Sequence, residues 1–174
     1  ASTKEIKKLA ENNINYDDIA ILYRTNAQSR TIEESMLKAN IPYRILGSFY
    51  FYNRKEIKDL LCYLRLINNP NDDISLTRII NVPKRGIGDK YINDLEQKAR
   101  EKNISMFDAI DDAKGQTFKD IIIKLQKDSE NLSLTELVDK ILNSTGMKEE
   151  LMQDESLENE LRLDNLNEFK SITA

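Results

Sequence analysis

The chain has 174 residues, of which 40% are hydrophobic and 32% are charged, with only five glycines and three prolines. One cysteine and no histidine exclude an internal disulfide, a Cys/His zinc site and histidine-based acid–base catalysis. The formal net charge of −4 is unevenly distributed. Residues 1–100 contain 17 basic and 13 acidic side chains, whereas residues 101–174 contain 9 basic and 17 acidic ones, so the two halves are expected to have different surroundings.

After a short N-terminal helix, residues 18–46 predict a β-α-β unit. The apolar run at 18–23 is typical of a strand buried on both faces, and Ile32, Met36 and Leu37 follow near helical spacing. Pro42 favours an extended chain, which predicts a second strand at 43–46. One such unit is not a stable sheet by itself. Either helices cover it, or the rest of its sheet lies elsewhere in a longer protein.

From Asn53 onward the periodicity predicts helices only. Asn53 with Glu56 resembles a capping box, and Ser133 with Glu136 forms a clearer one. The predicted fold class is therefore mainly α with a small α/β part, in which the β-α-β unit is followed by a helical bundle. No apolar run approaches the roughly 20 residues that span a bilayer, and no signal peptide is visible. We therefore expect a cytoplasmic protein without a membrane partner.

Tyr23 and Arg24 form the first candidate site, at the carboxyl end of the apolar strand. Ligands of open α/β sheets bind at such ends. The ring can stack on a nucleotide base, and the guanidinium can bind phosphate oxygens, as an arginine finger does. The alternative is a core tyrosine beside an arginine in a surface ion pair.

The second candidate is the segment 83–88 (Pro-Lys-Arg-Gly-Ile-Gly), between two predicted helices. Gly86, Ile87 and Gly88 permit close approach of the backbone to a phosphate, and Lys84 and Arg85 add positive charge. This pattern resembles the hairpin of a helix-hairpin-helix element, which binds nucleic-acid backbone without reading sequence. A plain glycine turn is the equally weighted alternative.

Two weaker signals accompany these sites. Thr145 and Gly146, within residues 144–148, could form a second small hairpin that donates amides to phosphate, or a simple helix end. Four consecutive aromatic residues at 49–52 precede Arg54 and Lys55 and could stack on single-stranded bases. Packing of the following helix is the favoured explanation of most of these rings.

None of the five glycines is followed by lysine, so the sequence contains no P-loop. No acidic strand end suited to Mg²⁺ is evident either. We therefore expect that this chain does not hydrolyse ATP by itself.

Taken together, the motifs resemble the UvrD/Rep/PcrA family of superfamily-one DNA helicases, with the PcrA branch nearest. Residues 18–30 resemble the family's motif IV, and residues 41–66 and 78–88 resemble the blocks that follow it. Residues 163–169 resemble a later helix. The similarity is dense over about 18–108 and looser afterwards.

The resemblance implies a fragment of an ATP-dependent helicase that unwinds DNA in the 3′-to-5′ direction. Residues 1–116 would begin the RecA-like (P-loop NTPase) subdomain 2A, and residues 117–174 the helical subdomain 2B. Tyr23 would stack on the adenine of ATP, and Arg24 would be catalytic by reaching the γ-phosphate. ATP and Mg²⁺ would be bound mainly by the missing domains of the same protein. DNA, as single strand and duplex junction, would be the other partner. Alternatives are a stand-alone helix-hairpin-helix module and a helical protein-interaction domain.

Overall fold

The computed structural model describes residues 2–43, 45 and 48–173, and all of their side chains except those of residues 2, 17, 26 and 48–50. The chain forms two compact units, Ala1–Tyr50 and Phe51–Ala174. It is mostly helical, as predicted, and the described residues contain no strand. No helix among the described residues is both long enough and apolar enough to cross a membrane.

The first unit contains α1 (Ser2–Glu11), a 3-10 helix (Tyr16–Asp18) and α2 (Asn26–Ala39). Its core is small: Ile6, Met36 and Ile41 are buried together. The start of α2 is fixed by a capping box that the sequence interpretation overlooked, in which the side chains of Thr25 and Gln28 each accept from the other's backbone N–H. Asn40 ends the helix in the left-handed conformation.

Only the helix of the predicted β-α-β unit is observed. Residues 19–23 form no strand, because a strand requires hydrogen bonds to a neighbour and no described segment pairs with them. Leu22, predicted to be buried on a two-sided strand, is 94% exposed. In the predicted second strand, Arg44 and Leu46 lie outside the described residues.

The second unit is a helical bundle built around α4, whose Ile57, Leu60, Tyr63 and Leu66 are fully buried. Their spacing of three to four residues places them on one face of the helix. Around α4 pack α5, α8, α9 and α11. The helices from residue 48 onward are α3 (Ser48–Asn53), α4 (Lys55–Asn68), α5 (Asp73–Ile79), α6 (Asp89–Lys102), α7 (Met106–Ala109), α8 (Ala113–Ser129), α9 (Leu134–Ser144), α10 (Met147–Met152) and α11 (Leu157–Ile172).

The two predicted capping boxes of this unit have different outcomes. The Ser133–Glu136 box at the start of α9 is confirmed. The Asn53–Glu56 box is wrong, because Arg54 is the N-cap of α4 and makes no capping bond with its side chain. Glu56 is buried and accepts a 2.6 Å hydrogen bond from Asn165 Nδ2 on α11. The Glu56 carboxylate, which the local pattern assigned to the cap of α4, is thus used in a tertiary contact with α11.

An ion pair between the buried Asp59 and the partly exposed Arg78 also joins α4 to α5. Arg78 Nε donates to Asp59 Oδ1 at 2.8 Å, and Asp59 is almost fully buried. Burial raises the pKa of the Asp59 carboxyl, and the nearby Arg78 charge offsets this only in part. The pair therefore fixes the orientation of α5, whose C-terminal end leads into the 83–88 turn.

Candidate nucleotide and nucleic-acid sites

Tyr23 and Arg24 lie immediately before α2, with both side chains on the surface of the first unit. The Arg24 amide donates to Gln28 Oε1 at 3.0 Å, so the capping box also fixes the backbone of this arginine. The backbone is thus anchored while the guanidinium extends from the surface, a geometry suited to contact with a group outside this unit.

One side chain, that of Asn81, organises the backbone of the 83–88 turn. Its Oδ1 accepts from the amides of Arg85 (2.7 Å) and Ile87 (3.1 Å). The amides of Gly86 and Gly88, which alternate along the turn with those of Arg85 and Ile87, have no hydrogen-bond acceptor among the described residues. Both glycines are exposed. These two N–H groups are therefore open to water or to a bound anion.

Gly86 and Gly88 differ in what they require of the backbone. Gly86 has a φ of +68°, a conformation that favours glycine. Gly88, the N-cap of α6, has extended backbone, and no atom lies within 4 Å of the position that a Cβ would occupy there. The helix α6 has no side-chain cap, so its first amides share this open space. Gly88 therefore leaves room for a ligand rather than relieving strain.

Two exposed lysines flank this turn. Lys84 belongs to it, as predicted, and its side chain is exposed. Lys114, from the first turn of α8, lies beside Gly86, with Nζ 3.7 Å from the Cβ position of that glycine. Because Lys114 is 28 residues away in sequence, no local pattern could have predicted its place at this turn.

Arg85 points into the fold. Its Nη1 lies 3.1–3.3 Å from the carbonyl oxygens of four residues, and Nη2 donates to Tyr63 Oη (2.9 Å) and Thr145 O (3.2 Å). Its Cζ lies 5.4 Å from the centroid of the Phe118 ring. The four carbonyls belong to Ile79, Ile80, Val82 and Pro83. The guanidinium, which the sequence interpretation counted as a phosphate contact, is thus surrounded by protein groups.

The turn at Thr145 and Gly146 lies next to the 83–88 turn. Gly146 has a φ of +82°, and its Cβ position is 3.8 Å from Pro83 Cγ. Thr145 is buried, and its hydroxyl donates to Ile141 O at 2.6 Å and accepts from the Met147 amide at 3.3 Å. Ile87 is also buried, with 1% of its side chain exposed. The fold therefore brings the two turns together, and the side chains of Ile87 and Thr145 support them from inside.

Tyr63 contributes a hydroxyl to this arrangement that the sequence interpretation missed. It is fully buried, donates to Val82 O and accepts from Arg85. Burial raises the pKa of Tyr63 to about 12, although the Arg85 charge acts in the opposite direction. The hydroxyl is therefore neutral at ordinary pH and can perform both roles.

The aromatic segment 49–52 is described only in part. Phe51 is buried beneath Arg54, whose Cζ lies 5.8 Å from the ring centroid, whereas Tyr52 is about half exposed. The side chains of Phe49 and Tyr50 lie outside the described set. The burial of Phe51 thus agrees with a packing role for this ring rather than stacking on a base.

The described side chains include no group of three or more Cys, Asp or Glu residues close enough to hold a metal ion.

Comparison with known proteins identifies the family of the chain. Residues 2–173 match the family model described as the UvrD-like helicase C-terminal domain. The chain belongs to this family. It is 47% identical to the ATP-dependent DNA helicase PcrA of Staphylococcus aureus strain Mu50, over 97% of this chain and 25% of that protein. Identity to PcrA of Staphylococcus epidermidis strain ATCC 35984 is 48% over the same shares. The chain thus spans about a quarter of the length of these relatives.

Proposed function

We propose that the chain is part of a longer ATP-dependent DNA helicase, to which it contributes one nucleotide contact and one DNA-backbone site. Membership of the UvrD-like family and the coverage of a quarter of each PcrA relative support this proposal. The exposed Leu22 also supports it, since an apolar segment of this kind is suited to pair within a larger sheet. Residues 1–116 would then belong to subdomain 2A and residues 117–174 to 2B, with unwinding in the 3′-to-5′ direction.

In this proposal ATP and Mg²⁺ are bound mainly by other domains of the complete protein. Tyr23 stacks on the adenine, and the Arg24 guanidinium binds the γ-phosphate. A planar fork of N–H donors matches phosphate oxygens and stabilises the charge that develops on the transferred group. The exposure of both side chains and the anchored Arg24 amide are consistent with this role.

The DNA-backbone site consists of the 83–88 turn with Lys84, the adjacent turn at Thr145 and Gly146, and Lys114. The observation that carries this part is the open space at Gly88, next to two amides without a described acceptor and two exposed lysines. Amides and lysines bind phosphate without reading bases, so the expected ligand is duplex or junction DNA of any sequence.

The test is a salt titration of the affinity of the complete helicase for a blunt-ended duplex. Lys84→Met should lower the slope of log affinity against log salt by about 0.9, the value for one lost phosphate contact. Gly88→Val should weaken binding with little change in slope, because it fills ligand space without requiring a positive φ. Thermal melting measures the separate cost of valine at the N-cap of α6. Asp89→Asn, which removes a negative charge beside Gly88, serves as the matched control and should strengthen binding.

Unchanged affinity in both Lys84→Met and Gly88→Val would reduce the turn to a helix connector and remove the DNA site from this chain. A stand-alone helix-hairpin-helix module is the second candidate, because this turn is built entirely from residues of the second unit. The two candidates differ in one respect: only the helicase requires Arg24 for DNA-stimulated ATP hydrolysis.

A further inference from the structure

Arg85 lies where the C-terminal ends of two helices meet. Ile79 and Ile80, whose carbonyls contact its Nη1, are the last residue and the C-cap of α5, and Thr145, whose carbonyl contacts its Nη2, is the C-cap of α9. Helix C-termini carry partial negative charge and unpaired carbonyls, so an always-charged guanidinium is a suitable partner for both.

We propose that Arg85 is a positioning residue for DNA binding: by joining the ends of α5 and α9 from inside the fold, it holds the 83–88 turn and the 145–146 turn at one surface. This inference rests on the proposed DNA site. Arg85 itself contacts no phosphate, because the four N–H groups of its two Nη atoms already face six protein oxygens within 3.3 Å.

The buried Tyr63 hydroxyl completes the arrangement. It accepts a hydrogen bond from Arg85 Nη2 and donates one to Val82 O. The same hydroxyl therefore orients both the guanidinium and the peptide group before Pro83. Lysine could supply the charge of Arg85 but has no planar fork that reaches carbonyls on two helices. The role therefore depends on shape as well as on charge.

Four variants of the complete helicase separate positioning from direct contact. Arg85→Lys keeps the charge and loses the fork, Arg85→Met loses both, and Tyr63→Phe removes a partner that is fully buried and cannot touch DNA. Lys84→Met is the matched control for loss of an exposed charge in the same turn. Circular dichroism and thermal melting establish that each variant is folded at the temperature of the binding assay.

Positioning predicts that Arg85→Lys and Tyr63→Phe each weaken binding to a blunt-ended duplex by about tenfold, from loss of internal hydrogen bonds. Their slopes of log affinity against log salt should stay at the wild-type value, whereas the slope of Lys84→Met should be lower by about 0.9. Full affinity in both Arg85→Lys and Tyr63→Phe would overturn the inference. So would a slope in Arg85→Met reduced as much as in Lys84→Met, because that result identifies a phosphate contact.

A spectroscopic measurement gives a second, independent readout. Spin labels on cysteines introduced at the exposed positions Lys90 and Glu149 report the distance between the helices that follow the two turns. The background is a complete helicase in which Cys62 and every other native cysteine are replaced. Arg85→Lys should broaden this distance distribution without DNA, and an unchanged distribution would overturn the inference. Failure of the wild type to bind duplex DNA would instead refute the proposed function, so the two failures are distinguishable.

Discussion

The hydroxyl of Tyr91 occupies the space that a Cβ atom on Gly115 would need. This close approach packs the first turn of α8 against α6 and brings Lys114 to the 83–88 turn. Ile110 crowds the same position, with Cγ2 2.6 Å from the Cβ site. Glycine is thus required here by the neighbouring side chains, since its backbone conformation is an ordinary helical one.

We expect Gly115→Ala to lower the free energy of unfolding by about 1–3 kcal/mol through overpacking, even though alanine favours helix. Adding Tyr91→Phe, which removes the obstructing oxygen, should make the combined loss smaller than the sum of the two single losses. Urea unfolding measures each value, and Gln116→Ala on the same helix is the control. A stabilised Gly115→Ala variant would contradict the packing described for α8.

The Asp112 carboxyl makes the free energy of unfolding depend on pH in the acid range. Burial raises the pKa of its carboxyl, but hydrogen bonds from the Tyr91 hydroxyl and from the amides of Gly115 and Lys114 outweigh this, so the pKa lies below its ordinary value of 3.8. A pKa lower in the folded than in the unfolded chain stabilises the fold above the unfolded value. That stabilisation is lost as the pH falls through the folded pKa.

Asp112→Asn should therefore reduce the decline in unfolding free energy between about pH 5 and the folded pKa. Asp112→Ala should cost about 1 kcal/mol near pH 7, the usual value for loss of an N-cap. Urea unfolding over this pH range measures both effects. Asp120→Asn removes a carboxylate from the same helix without touching the cap, and an equal effect from it would exclude a special role for Asp112.

Arg24→Ala in the complete helicase should lower kcat for DNA-stimulated ATP hydrolysis by roughly 10³–10⁵, the range for an arginine finger. Arg24→Lys should recover little of this activity, because a point charge does not reproduce the fork. Thermal stability should hardly change, since the side chain is exposed. Arg30→Ala, an exposed arginine on α2 near Glu34, is the control. A kcat for Arg24→Ala within a few-fold of wild type would refute the nucleotide contact.

Lys114 is expected to contact phosphate from its position beside Gly86. Lys114→Met should lower the salt slope of duplex binding by about 0.9, as one lost contact does. Lys124→Met, an exposed lysine two to three turns further along α8, should leave the slope unchanged. Equal slopes for the two variants would exclude Lys114 from the DNA site.

The exposed Leu22 tests whether residues 19–23 pair within a larger sheet. In the isolated chain, Leu22→Ser should change the unfolding free energy little, because the side chain is already in water. In the complete helicase the same change should cost about 1.5–3 kcal/mol, the value for a leucine buried by pairing. Equal effects in the two proteins would count against the predicted strand.

The parts of the fold that depend on local patterns were predictable from the sequence. The apolar spacing of α4, α6 and α9 and the Ser133–Glu136 box correspond to observed helices. The residues of the 83–88 turn were also identified as one segment. Local patterns do not specify long-range contacts. The bond of Glu56 to Asn165 on α11 and the place of Lys114 beside Gly86 were therefore not predicted.

The roles of Arg85 and of the apolar segment 19–23 illustrate a second limit. A basic residue beside two glycines has the same local sequence whether its side chain reaches solvent or two helix ends. Only the packing of α5 and α9 around α4, which brings both helix ends to Arg85, decides between them. Likewise, the apolar run predicts a strand, but strand formation depends on a neighbour that no described residue provides.

The side chain of Asn81 orders the backbone of the 83–88 turn without adding a charge to it. An aspartate there could accept the same two hydrogen bonds from Arg85 and Ile87 and keep the loop in place. It would also bring a full negative charge beside the amides of Gly86 and Gly88 and repel an approaching phosphate. An engineer could therefore tune the nucleic-acid affinity of this fold by exchanging an amide nitrogen for an oxygen, with the backbone geometry preserved.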